Sequence, residues 1–205
     1  MEKKTDPVYS RNVLEFVAAA NEFCKYAERS AEIKGGELLR ILQRLLPYLY
    51  IRASFLPSLE PVFEDGNEKF VTESDWNTIH DSLKKQFGST DEYLDIYDAG
   101  PEGPDNIVQS SLSENLADMY QDIKDFLLLY QTGTEEIMND AVWECKISYE
   151  NIWGQKLVNS LRAIHMFIYS GDEPEKDIKN ENDGERDTSE WFISKRQREY
   201  GKNDE

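Results

Sequence analysis

Apolar residues recur at intervals of three and four along much of this chain, and the longest such run, Thr134 to Tyr169, contains no proline. Read at 3.6 residues per turn, Val142, Cys145, Tyr149, Ile152, Trp153, Leu157, Leu161, Ile164 and Ile168 share one slowly drifting stripe, which predicts a helix buried along one side. Trp143 and Ile147 fall off that stripe. Several neighbours are therefore expected around this helix, and the fold class is read as all-α, a helical bundle around a long central helix. A glycine inside a helix costs about 1 kcal/mol relative to alanine. At Gly154 the expected compensation is a second helix backbone passing close beside Trp153.

Upstream, Asp6 and Pro7 predict a helix start, and Val13, Phe16, Val17, Ala20, Phe23, Cys24 and Ala27 then fall on one face. Gly35 and Gly36 precede a densely apolar helix from Leu38 to Leu46. Pro47 predicts a kink or break there, because it removes a backbone donor at about 3 kcal/mol, with 48–55 continuing as a further helical segment. Residues 56–71, with Pro57, Pro61 and Gly66, read as an irregular connection. Thr72 with Asp75, or Ser74, caps a third helix carrying Trp76, Ile79, Leu83 and Phe87 as far as Gly88. Residues 91–99 are ambiguous between a helical turn and an extended segment, and Gly100 to Pro104 mark a loop. Ser111 or Ser113 then caps a fourth helix bearing Leu116, Met119, Tyr120, Ile123, Phe126, Leu127 and Tyr130, ended by Gly133.

Beyond Ser170 the apolar pattern stops, which predicts two parts: a helical domain over 1–170 and a disordered acidic C-terminal tail over 171–205. The tail holds one amphipathic segment, 188–200, where Trp191, Phe192 and Ile193 precede Lys195, Arg196 and Arg198. An apolar triplet on a polar tether is expected to dock, on its own bundle or on a partner.

Charge narrows the possible partners. The chain has 41 acidic and 23 basic residues, a net charge of −18, which repels phosphate backbones and anionic membranes and excludes direct nucleic-acid binding as the expectation. Residues 56–115 carry 14 acidic and 3 basic side chains, whereas 1–55 carry 7 and 9. Such asymmetry suits self-association or a basic protein partner as well as plain solubility. Cys24 and Cys145 lie on apolar stripes without a CxxC or a neighbouring histidine, so both are read as buried reduced thiols of a cytoplasmic protein. The N-terminus lacks the apolar run of a signal peptide, and the longest strongly apolar stretch, LLPYLYI, is too short to span a bilayer.

One local pattern carries candidate chemistry. Asp91, Asp95 and Asp98, and again Asp118, Asp122 and Asp125, fit D-x-Y-x-D-I-x-D. On a helix each set puts three carboxylates on one face, at a cost of a few tenths of a kcal/mol per like-charge pair unless a cation neutralises them. Two such faces brought together could hold Mg²⁺ or Mn²⁺ and activate a water for phosphoester or pyrophosphate hydrolysis. The plainer reading is a solvated acidic face that takes no cofactor. No Glu-x-x-His or Glu-x-x-Glu occurs, so the ligand spacings of di-iron bundles and helical nucleotide pyrophosphatases are absent. Gly-rich phosphate loops, GxSxG and HExxH are absent too. His165 is expected hydrogen-bonded at the core edge and His80 on the surface.

Two stretches, SLSENLADMYQDIKDFL (Ser111 to Leu127) and the Trp-Gly, Leu, Ser-Leu-Arg-Ala-Ile-His pattern from Trp153 to His165, resemble an uncharacterised bacterial all-helical domain-of-unknown-function family (number 5063). The resemblance spans Tyr9 to Ser170 and implies a cytoplasmic bacterial helical domain, with no catalytic residue to carry over. The expected function is an intracellular helical module acting by protein–protein contacts. The alternatives are a metal-dependent phosphohydrolase on the two Asp rows and an acidic mimic of nucleic acid that occupies a basic protein groove.

Overall fold

A computed structural model of the chain describes residues 7–64, 66–96 and 107–170. Asp98 and the tail segment with Trp191, Phe192 and Ile193 lie outside them. The fold is predominantly helical, as the spacing predicts, with one small hairpin.

Helix α1 (Arg11–Glu28) follows a 3-10 turn at Pro7–Tyr9, and Ser10 caps it by accepting the Val13 amide at 3.5 Å. Its apolar face is buried at Val13, Phe16, Ala20, Phe23, Cys24 and Ala27. Helix α2 (Gly35–Ser54) runs through Pro47 without the expected break. Leu42, Leu46 and Leu49 are all buried on either side of the proline, and that packing outweighs one missing backbone bond. Helix α3 (Glu73–Phe87) opens with the Thr72–Asp75 capping box and ends at Gly88, whose φ of 54° suits glycine.

Residues 92–96 of the ambiguous stretch prove extended. Strand β1 (Glu92–Ile96) pairs antiparallel with β2 (Ile107–Ser111), with Tyr93 opposite Ser110 and Asp95 opposite Val108. Tyr93 and Asp95 point inward and are buried, while Glu92 and Leu94 are exposed, the two-residue alternation of a strand. Helix α4 (Leu112–Gln131) leaves β2 directly, capped by the Ser111 hydroxyl on the Glu114 amide at 3.1 Å. It packs against α1, α3, α5 and α6, so α4 has neighbours on nearly every side.

The long run from 134 to 169 is helical throughout but not uniformly α: α5 (Glu135–Ser148) and α6 (Gly154–Tyr169) are joined by a π-turn over Tyr149–Trp153. A π-turn inserts one extra residue and rotates the following helix by about 100° relative to a continuous α-helix. Ile152, seven residues after Cys145, is therefore turned outward and is 53% exposed, whereas Trp153 is fully buried. Ile152 thus leaves the stripe on which the spacing placed it. The Gly154 amide donates to the Tyr149 carbonyl five residues back, and a Cβ at Gly154 would collide with that oxygen. The glycine is required by its own helix's π-turn, not by a second helix beside Trp153. Trp153 stacks on Phe16 at 6.4 Å, and Phe16 meets Phe126 at 5.2 Å, which ties the turn to α1 and α4.

Both cysteines are buried and free. His165 is exposed, with its ring 4.8 Å from Tyr169, and does not sit hydrogen-bonded at the core edge. His80 is half-buried, lying flat on Trp76 at 4.8 Å with Nδ1 2.9 Å from Asp81. Among the described residues no helix is long and apolar enough to cross a membrane.

Candidate functional site

The aspartates singled out by the repeated pattern are held in unlike surroundings. Asp91 is buried at the start of α4: Oδ1 accepts the Ser113 amide at 2.8 Å, and Oδ2 accepts the hydroxyls of Ser111 and Ser113 at 2.9 and 3.0 Å. A carboxylate there satisfies an otherwise unpaired helix amide and opposes the helix dipole. Asp95, buried on β1, accepts from Asn159 Nδ2 at 2.6 Å and lies 3.4 Å from the Arg162 guanidinium. Asp118 accepts the Trp76 indole N–H at 2.8 Å and pairs with Lys156. Asp122 accepts the Ser148 hydroxyl. Asp125 takes the amides of Phe70 and Val71 on Oδ1, at 2.9 and 2.8 Å.

The reading of two Asp-rich helical faces is corrected here. In the first row Asp91 caps α4 and Asp95 lies on a strand, and among the described residues no three His, Cys, Asp or Glu side chains are placed to hold a metal ion. The like-charge cost that motivated an ion is met by amide, hydroxyl, indole, ammonium and guanidinium donors from distant parts of the chain. Asp125 has a counterpart that sequence reasoning missed. Buried Asp140 on α5 accepts the Val62 and Phe63 amides at 2.7 and 2.8 Å. The irregular connection 56–71 is thus pinned to α4 and α5 by carboxylates that replace the backbone pairing it lacks.

Two concavities lie near these residues. The first, about 320 Å³, is walled by Asp122, Asp125 and Phe126 of α4, by Glu144, Cys145 and Ser148 of α5, by Ile152 of the π-turn, and by Lys69. Glu144 is engaged on both oxygens, by Lys69 Nζ and Asn67 Nδ2, each at 2.7 Å. Burial pulls the Lys69 ammonium down, but its bond to Glu144 and the nearby Asp125 and Asp122 charges leave it raised overall. Burial pushes the Asp122 carboxyl up, with the Ser148 hydroxyl acting in the opposite sense. The second oxygen of Asp125 is buried and has no donor among the described residues.

The second, about 430 Å³, is a groove between β1 and α6 lined by Glu92, Tyr93, Leu94, Arg162, Ala163, Met166 and Phe167. It is mostly apolar, and its rim includes Leu94 at 63% and Met166 at 56% exposure. Arg162 is not free to serve an incoming anion: its guanidinium donates to the Leu94 carbonyl at 2.7 Å and lies beside Asp95. The sequence held one usable signal for this groove. Leu94 stands between the acidic Glu92 and Asp95, an apolar residue on the outward face if the stretch is extended.

Comparison with known proteins agrees with the fold. A family model described as Domain of unknown function (DUF5063) matches residues 7–170. A crystal structure of protein BF1032 from Bacteroides fragilis is similar, with a TM-score of 0.72 and 34% identity, covering 82% of this chain and 99% of that one. No curated protein sequence matches.

Proposed function

We infer the role of this chain, which belongs to the domain-of-unknown-function family DUF5063, from its surface: it is an intracellular protein-interaction module that seats a basic, aromatic-anchored segment of a partner in the groove between β1 and α6. The observation that carries this reading is a mostly apolar concavity with acidic Glu92 at its edge. Leu94 and Met166 leave large apolar side chains facing solvent beside one concave site, an arrangement that marks interaction surfaces. The chain segment that supplies β1, residues 56–115, carries 14 acidic against 3 basic side chains, and Glu92 stands at the groove itself. An apolar anchor with a basic flank complements both properties, the anchor supplying affinity and the charge supplying orientation and association rate.

The same chemistry is written in residues 188–200, where Trp191, Phe192 and Ile193 precede Lys195, Arg196 and Arg198. A fluorescein-labelled peptide of that sequence is therefore a suitable probe, added to the full chain carrying Trp191→Ala so that its own copy does not compete. Fluorescence anisotropy should rise with a Kd in the micromolar range, weaken as salt is added, and weaken at least tenfold when Leu94→Lys and Met166→Lys are introduced together. Both positions are exposed, so the double variant keeps its fold. No rise at about 100 μM protein, or equal binding by the lysine variant, would remove the groove from consideration.

A further inference from the structure

We propose that residues 188–200 of this chain occupy the groove between β1 and α6 in cis, so that the module is autoinhibited and a partner binds by displacing the chain's own segment. Regulation of this kind presupposes that the groove is the partner site, as inferred above. Met166 and Phe167 of α6 line the groove, and α6 ends at Tyr169. The chain therefore leaves the helix within about one turn, some 5 Å along the axis, of the groove wall. The 17 residues from 171 to 187 reach up to about 56 to 61 Å at full extension, so length does not keep residues 188–200 from any part of the groove.

A ligand joined to its site by a short linker meets it at an effective concentration in the millimolar range. A segment with a micromolar Kd as a free peptide therefore fills the groove of its own chain. The chemistry fits as well. Leu94 and Met166 offer exposed apolar surface to Trp191, Phe192 and Ile193. Glu92 is reached by a neutral donor, Gln109 Nε2 at 2.6 Å, which leaves the carboxylate's charge in place for Lys195, Arg196 or Arg198. The Arg162 guanidinium in the groove wall does not oppose this, since it lies 3.4 Å from buried Asp95.

Two measurements on the full chain test this. Trp191 stands outside residues 7–170, the part matched by the family model, so its substitution leaves the domain's core untouched. With ¹³C-methyl methionine incorporated, Met166 reports on the groove, while buried Met119 and Met138 report on the core. Trp191→Ala should shift the Met166 methyl signal and leave the other two unmoved, and excess unlabelled 188–200 peptide should restore its position. The shift should be the same across a roughly tenfold dilution, because binding within one chain does not depend on concentration. In the anisotropy titration, the labelled peptide should bind the unsubstituted chain at least tenfold more weakly than the Trp191→Ala chain. A Met166 signal indifferent to Trp191→Ala overturns the autoinhibition, as does equal peptide affinity for the two chains. If binding to the Trp191→Ala chain still depends on Leu94 and Met166, the groove survives that failure as a partner site. A shift that fades on dilution assigns the segment to the groove of a second copy and overturns occupation in cis. Peptide binding to neither chain removes the groove as a partner site and the autoinhibition with it.

Discussion

Gly154→Ala is a substitution for which helix propensity and tertiary geometry predict opposite signs. In an ordinary helix interior, alanine stabilises by about 1 kcal/mol relative to glycine. Here the new Cβ would strike the Tyr149 carbonyl oxygen and come within 3.0 and 3.1 Å of Cδ2 and Cε2 of the Tyr149 ring. That ring has little freedom to yield, since it lies 5.4 Å from Tyr50 and 4.9 Å from Trp153. The helix could escape by reverting to an α-turn, but a rotation of about 100° would bring Trp153 toward solvent. Exposing some 150 to 250 Å² of that side chain costs about 4 to 6 kcal/mol. The π-turn therefore persists and absorbs the strain. Overpacking contributes about 1 to 3 kcal/mol and weakening of the Gly154–Tyr149 hydrogen bond about 1. Against the propensity gain, the net loss is about 1 to 3 kcal/mol. Urea unfolding followed by circular dichroism should show a lower midpoint at unchanged m-value. A midpoint equal to or above that of the unsubstituted chain would refute the argument. A second measurement isolates the cause: deleting Ile152 places Trp153 seven positions after Cys145, the spacing of an uninterrupted α-helix. In that background Gly154→Ala should be neutral or stabilising, and a persisting loss would show that the π-turn is not what requires glycine.

Leu157→Ala, at a fully buried site on α6, should cost about 2 to 5 kcal/mol in the same assay, and half-buried Leu161→Ala should cost less; equal effects would contradict the rotation of α6. Asp125→Ala strands two amides and should lower stability by about 2 to 4 kcal/mol, with faster hydrogen exchange at Phe70 and Val71; protection unchanged at both would show that the carboxylate does not hold the connection. The raised Asp122 carboxyl favours folding most when protonated, below the unfolded-state value of about 4, and that contribution is lost as pH rises through its higher folded value. The stability of the unsubstituted chain relative to Asp122→Asn should accordingly fall as pH rises above about 4, and a flat or rising difference would reverse the assigned direction.

Local regularity made much of the fold legible. The stripes of α1, α3 and α4, the Thr72–Asp75 cap and the stop at Gly88 depend on residues within a few positions of one another, so spacing alone identifies them. Where the pattern needed a non-local tie-breaker it failed. Periodicity ran smoothly past Tyr149, because a drifting apolar stripe accepts Ile152 and Trp153 equally well; the packing of Trp153 against Phe16 of α1 selects the π-turn. Strand and helix were equally compatible with residues 91–99, and over 92–96 pairing with β2 decided for the strand. The aspartates show the limit most clearly. Six carboxylates in two matching rows looked like one kind of site, yet the structure holds Asp95 by α6 side chains, Asp118 by Trp76 and Lys156, and Asp125 by the amides of Phe70 and Val71. A carboxylate's role is set by whichever donors reach it within about 3 Å. Those donors arrive from 38 to 67 positions away, at a distance over which spacing along the chain carries no information.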